Sequence, residues 1–249
     1  MQFVRRGLSL VARPIGLFLY PPVCAGCGTA LAHAPAVCPD CWRTLRFIER
    51  PFCEVLGLPF SYDLGRGFLS AEAIASPPAF GRLRAALVYR DLAAKMVASL
   101  KYSDRTDLVP LMAGWMCRGG REVLEGCEVL VPVPLHPRRL FRRRFNQSAE
   151  LARAIARREN LPYAPLCLKR ARATHSQVGL GPSEREANVR GAFAVPPGRA
   201  HEIRGKRVVL VDDVYTTGAT VSAATRALKR AGAAEVDVLV FARVAADGA

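Results

Sequence analysis

Asp212 and Asp213 end an aliphatic run, Val208-Val209-Leu210-Val211, and two residues later come Thr216-Thr217-Gly218-Ala219-Thr220. Carboxylates only accept hydrogen bonds, so they suit the vicinal hydroxyls of a ribose or a hydrated divalent cation rather than a phosphate. The turn that follows has the opposite chemistry. Hydroxyls and unpaired backbone N–H groups at the start of a helix favour a phosphate, and the helix dipole adds to the effect. Asp212, Asp213, Val214, Tyr215, Thr216, Thr217, Gly218, Ala219 and Thr220 therefore make one candidate site, able to grip a ribose 5-phosphate from both sides. An ordinary strand-turn-helix would need one capping hydroxyl and no paired acids.

A second constellation is Cys24-Ala25-Gly26-Cys27 and Cys38-Pro39-Asp40-Cys41. Two Cys-x-x-Cys knuckles can bring four thiolates onto one tetrahedral zinc, and four sulfur ligands leave no open position for chemistry, so a structural zinc is expected. Two redox dithiols are the alternative, but neither pair lies in the strand-helix setting that tunes a catalytic thiol. Cys53 could open another ribbon, yet its x-x-Cys partner position is Leu56 and no further knuckle follows through Pro78. One metal is the expected count.

The third is positive charge. Five arginines, Arg138, Arg139, Arg142, Arg143 and Arg144, fall within seven residues directly after a strand-like segment that ends in Pro132-Val133-Pro134. Prolines weaken the reading of this stretch as a plain basic helix face, and so many like charges need an anion to offset their repulsion. The segment Lys169 to Asn188 is also basic and interrupted by glycine, and long loops of this kind are functional or disordered. His175 within it is more readily a solvent-facing residue than a catalyst. Lys101-Tyr102-Ser103-Asp104-Arg105 is a polar turn, either solvated or part of a site. No general base stands out.

These groups need elements to hold them. Apolar runs predict strands over Ala85 to Tyr89, Glu128 to Val133, Arg190 to Val195, Arg207 to Asp212 and Val236 to Val244. Helices are expected over Leu92 to Leu100, over Ala149 to Arg158 with Leu151, Ala152, Ile155 and Ala156 on one face, and from the Thr-rich turn to a cap at Gly232. Such alternation implies an α/β fold with a mostly parallel sheet and flanking helices, whose ligands sit at the carboxyl ends of the strands. The expected organisation is a zinc ribbon over 1–60 with a degenerate second ribbon, a connection over 61–78, and the α/β domain over 79–249. Met1 to Tyr20 reads as a short amphipathic helix rather than a signal peptide, because Arg13 and Pro14 interrupt it. No stretch reaches the ~20 apolar residues that span a bilayer. With 51% hydrophobic residues and a formal net charge of +15, the 249-residue chain reads as globular with anionic partners, and its cysteine usage points to a reducing cytoplasm.

The stretch from Arg207 to Thr220 resembles the 5-phosphoribosyl-1-pyrophosphate (PRPP) loop of type I phosphoribosyltransferases. Beyond it the chain resembles the ComF family, competence-associated proteins that join a zinc ribbon to a phosphoribosyltransferase domain. The matching residues are the paired knuckles, Leu100-Lys101-Tyr102 with Arg105, and Val131 to His136 followed by Arg139, Arg144, Phe145, Asn146 and Gln147. Arg170, Thr174, Gln177, Arg185, Asn188 and the PRPP loop complete the set. The resemblance implies that Lys101, Pro134, Arg139, Arg144, Asn146 and Gln147 serve a pyrophosphate loop, and that Arg170, Thr174, Gln177 and Arg185 belong to a mobile loop closing over PRPP. It implies magnesium with PRPP, displacement of pyrophosphate from C1 of the ribose onto an unidentified acceptor, and a glycosyltransferase class. Thr216 stands where purine-salvage relatives carry an aspartate, which counts against a 6-oxopurine acceptor. The competing reading is a non-catalytic accessory factor for DNA uptake that binds single-stranded DNA, works beside other DNA-uptake proteins, and sits in the cytoplasm or at the inner face of the membrane.

Overall fold

The computed structural model describes residues 22–33, 36–63, 65–171 and 191–245. The expected amphipathic helix over Met1 to Tyr20 lies outside them, as do Thr174, His175, Gln177, Arg185 and Asn188. The chain divides into two compact units, Met1–Thr44 and Leu45–Ala249. Residues 45–60, which the cysteine pattern groups with the ribbon, thus belong to the larger unit.

In chain order the helices are α1 (Pro39–Arg43), α2 (Ala71–Ala75), α3 (Asp91–Tyr102), α4 (Val109–Gly119), α5 (Arg121–Leu124), α6 (Pro137–Arg143), α7 (Gln147–Glu159) and α8 (Ala219–Arg230). The strands are β1 (Leu83–Val88), β2 (Val129–Pro132), β3 (Lys169–Arg170), β4 (Phe193–Ala194), β5 (Arg207–Tyr215) and β6 (Glu235–Arg243). Four of them form a parallel sheet in the order β1-β6-β5-β2. Its strands are apolar almost throughout because both faces are covered. On one face Val208, Leu210, Val236, Val238 and Val240 share a core with Ala223, Ala224, Ala227 and Leu228 of α8. On the other, Phe241 stacks on Trp115 of α4, with ring centroids 6.2 Å apart. The four residues expected on the inner face of α7, Leu151, Ala152, Ile155 and Ala156, are all buried.

Three local readings change. The strand expected over Arg207 to Asp212 runs on to Tyr215, so both acids belong to the strand itself. The segment expected as a strand from Arg190 to Val195 contributes only β4, which pairs antiparallel with β3 rather than joining the main sheet. Finally, the arginine-rich stretch is helical after all. Pro137 sits in the first turn of α6, where a missing N–H costs nothing.

Residues 61–78, expected as a connection, contain α2, and Ser70 and Ala73 at its start are buried. Among the described residues no helix is long and apolar enough to cross a membrane.

Candidate functional site

The two acids lie at the carboxyl end of β5, a central strand flanked by β2 and β6. Lys101, at the end of α3, places its Nζ 2.8 Å from Asp213 Oδ1. Ser148, in the first turn of α7, donates its hydroxyl to Asp212 Oδ1 at 2.8 Å. Burial alone would lower the Lys101 ammonium, but Asp213 and Asp212 more than offset it and the group is raised. Lys101 thus pairs with the acids, while Arg143 of the arginine helix acts on it in the opposing direction. Ser148 escaped the sequence reading, although its place just after the capping residue Asn146 marks the start of a helix.

Burial and the adjacent Asp213 carboxylate push Asp212 up to about 7, against the opposing pull of the Ser148 hydroxyl, the Asp213 amide and Lys101. The pair therefore holds a proton that the unfolded chain, with an aspartate near 3.9, has already lost. Between about pH 4 and 7 the native state binds more protons than the unfolded one, so this group's contribution to stability falls as pH rises through that window. Asp212→Asn, neutral throughout, should flatten the decline in urea midpoint between pH 5 and 8. Equal declines in both proteins would refute the shift.

Beyond the acids the chain turns through Thr216 and Thr217, both exposed, to Gly218 at φ 76°. Any side chain at Gly218 would be strained there, and a Cβ would lie 2.6 Å from the Tyr215 hydroxyl. Gly218 is the N-cap of α8 and no side chain caps that helix, so a ligand has no capping group to displace. Ala219 is buried and Thr220 half-buried, while Val214 is half-buried in the strand. Tyr215 packs beneath the turn. Its ring is 4% exposed, edge-on to Phe80 at 6.3 Å, with the Arg243 guanidinium 5.3 Å from its centroid. Arg243, a lone cation closing the apolar run of β6, also escaped the sequence reading.

The arginine helix leads to the same end of the sheet. Asn146 caps α7 by accepting from the Ser148 amide at 3.1 Å and donates to the Val133 carbonyl at 3.0 Å, tying β2 to the helix that carries Ser148. Pro134 is half-buried between these elements. Gln147 is 1% exposed, accepts from Arg143 at 3.3 Å, and its Nε2 has no partner. Arg143 also lies over the Tyr102 ring at 5.2 Å. Arg139 is half-buried, whereas Arg144 is exposed and within 3.7 Å of Asp104. Arg170 is buried against Phe193; burial and Arg139 pull it down to about 10, and Asp212 acts in the other direction. That mutual influence puts Arg139, Arg170 and Asp212 in one electrostatic neighbourhood.

In the smaller unit the Sγ atoms of Cys24, Cys27, Cys38 and Cys41 lie within 4.8 Å of one another, and Cys27 and Cys38 are 3.7 Å apart. Tetrahedral zinc with bonds of about 2.3 Å requires sulfur separations of about 3.8 Å. Burial would raise Cys24, but amides of Cys38, Cys27 and Gly26 bring it down to about 6. Cys41 is pushed up to about 12 by burial and by the three other thiols. Four thiolates this close need a cation, and zinc fits the donor set.

Comparison with known proteins agrees with this geometry. Residues 17–73 match the family "Double zinc ribbon domain" and residues 146–248 the family "Phosphoribosyl transferase domain". The DNA utilization protein YhgH of Escherichia coli K12 is 30% identical over 232 residues, covering 90% of this chain and 97% of that protein. Competence protein F of Haemophilus influenzae is 35% identical over 116 residues, or 47% of this chain and 50% of that one. A solved structure described as the allosteric regulatory enzyme of purine biosynthesis is 26% identical and covers 53% of this chain and 25% of that chain at a TM-score of 0.36. The fold assignment rests on the parallel sheet and the family match, not on that superposition. With paired cysteine knuckles, a phosphoribosyltransferase sheet and a relative 30% identical over nearly its full length, the chain belongs to the ComF family.

Proposed function

We propose that the larger unit binds PRPP with Mg2+ and displaces pyrophosphate from C1 of the ribose onto an acceptor still to be identified. The observation that carries the reading is the pairing of Asp212 and Asp213 with the uncapped, glycine-led start of α8 at one end of β5. In this reading the two carboxylates accept from the ribose hydroxyls, and the amides of residues 217 to 220 with the threonine hydroxyls hold the 5-phosphate. Lys101 then has to leave Asp213, or share it, as the ribose enters. Thr174, Gln177 and Arg185, which the resemblance assigns to the same loop, lie outside the described residues, and in this reading Arg139, Arg144 and Arg170 face the leaving pyrophosphate. Their cationic charge stabilises the transition state more than the ground state. Mg2+ would neutralise pyrophosphate and polarise its oxygens. Calorimetry with Mg-PRPP tests the binding step, and pyrophosphate release across a panel of bases and amines tests turnover.

Single-stranded DNA binding is the second reading, supported by a specific observation. Phe141 is 90% exposed among the arginines of α6, and Tyr102 is 67% exposed beneath Arg143. Between residues 131 and 190 thirteen basic residues face four glutamates, more charge than one pyrophosphate can use. The name of the Escherichia coli relative, a DNA utilization protein, points the same way. In this reading the protein works beside DNA-uptake proteins, in the cytoplasm or at the inner face of the membrane. The expected result is sequence-independent binding of a labelled oligonucleotide, with log K falling by about 0.7 per phosphate contact per decade of salt, and displacement by Mg-PRPP at fixed ionic strength. Binding indifferent to PRPP would separate the two sites.

A further inference from the structure

The hydrogen bonds around Cys24 recur around Cys53 with a constant offset of 29 residues. Cys24 N–H donates to Thr29 C=O at 2.8 Å, and Cys53 N–H to Leu58 C=O at 2.8 Å. Gly28 N–H donates back to Cys24 C=O at 3.1 Å, and Gly57 N–H to Cys53 C=O at 2.8 Å, both glycines having positive φ. Val23 bridges Ala30 as Phe52 bridges Pro59. The second halves agree at an offset of 32. Cys38 N–H donates to Cys24 Sγ at 3.2 Å, and Ser70 N–H to Cys53 Sγ at 3.2 Å. The Cys38 thiol caps α1 through the Cys41 amide, and the Ser70 hydroxyl caps α2 through the Ala73 amide. Both helices have five residues.

We infer that residues 51–76 are a second ribbon that has lost its metal, with Cys53, Leu56, Ser70 and Ala73 standing at the positions held in the first by Cys24, Cys27, Cys38 and Cys41. A family called a double zinc ribbon implies a second zinc, but one thiol, one hydroxyl already bonded to an amide and two hydrocarbon side chains do not hold it. Leu56 is 2% exposed and Ala73 5%, and both join Cys53, Phe80 and Leu83 in the main core of the larger unit. Hydrophobic burial has taken over what coordination does in the first ribbon. The repeat is also fastened to the sheet. Leu83 N–H donates to Val55 C=O at 2.7 Å, the buried Arg84 donates to Glu54 C=O at 2.9 Å, and Arg243 donates to Leu56 C=O. Through Arg243, which lies over Tyr215, the metal-free ribbon reaches the support of the Gly218 turn. Zinc is therefore expected at the Cys24, Cys27, Cys38 and Cys41 cluster and not within residues 51–76.

Metal analysis tests this. The native chain should hold one zinc, Cys53→Ala should still hold one, and Leu56→Cys/Ser70→Cys/Ala73→Cys should hold two. Cobalt substitution of the triple variant should double the thiolate charge-transfer absorbance. Ser70→Cys/Ala73→Cys, which keeps the core-filling Leu56, repeats the test with three thiols if the triple variant does not fold. Two zincs in the native chain, loss of zinc from Cys53→Ala, or a folded cysteine variant that stays at one would overturn the inference.

Discussion

In Asp212→Asn/Asp213→Asn, affinity for Mg-PRPP is expected to fall by about 100-fold or more while the fold is kept. Hydrogen bonds to a charged group contribute about 1.5–3 kcal/mol each, and about 1.4 kcal/mol is a factor of ten in binding. Two carboxylates accepting from two ribose hydroxyls thus account for the loss without any change in the phosphate turn. Retention of fold needs its own argument, because Asp213 is buried at 8% exposure. Replacing it removes the partner of Lys101. That side chain is 21% exposed, so its ammonium can turn to water instead of remaining a buried unpaired charge. At Asp212 the change removes a carboxylate that is ionised only at a cost. Circular dichroism and a melting temperature close to native would establish the fold, and calorimetry the affinity. Undiminished PRPP binding in a folded double variant would sink the ribose assignment, whereas a native protein that does not bind PRPP would sink the larger reading.

Cys24→Ser should take bound zinc from one per chain to none and unfold the ribbon around the cysteine cluster. Structural zinc in small ribbons contributes about 10 kcal/mol or more to folding, comparable with the whole stability of an ordinary domain. Cys24 is the most shielded of the four thiols at 2% exposure and accepts amide hydrogens from Gly26 and Cys38, so serine cannot take its place in a sulfur site. The two tryptophans separate the outcomes, Trp42 lying in the smaller unit and Trp115 in the larger, between Phe47 and Phe241. Proteolysis should open the chain near Trp42 and leave the Trp115 environment intact. Zinc retained by the variant would mean that the cluster is not the metal site.

Local chemistry was legible from order alone wherever neighbours in the chain do the work. The run into Asp212-Asp213 and the Thr-Thr-Gly-Ala-Thr turn act through a strand end and the helix that follows, and Cys24, Cys27, Cys38 and Cys41 converge through two short knuckles. The parallel sheet followed from the apolar runs, since strands covered on both faces cannot alternate. Three features needed the folded chain because they join distant residues or replace one force by another. Lys101 meets Asp213 across 112 positions and Ser148 meets Asp212 across 64, pairings that nothing in either segment encodes. Arg243 reaches Leu56 across 187 positions and lies over Tyr215, beside the Gly218 turn. Cys53 and its missing partner at Leu56 marked a degenerate second ribbon in the sequence, but its second half at Ser70 and Ala73 was hidden, because that half is kept in backbone hydrogen bonds, which any residue can make. Residue types reveal a site when side chains perform its function, but the tertiary structure alone reveals one whose form is kept by the main chain and filled by the core.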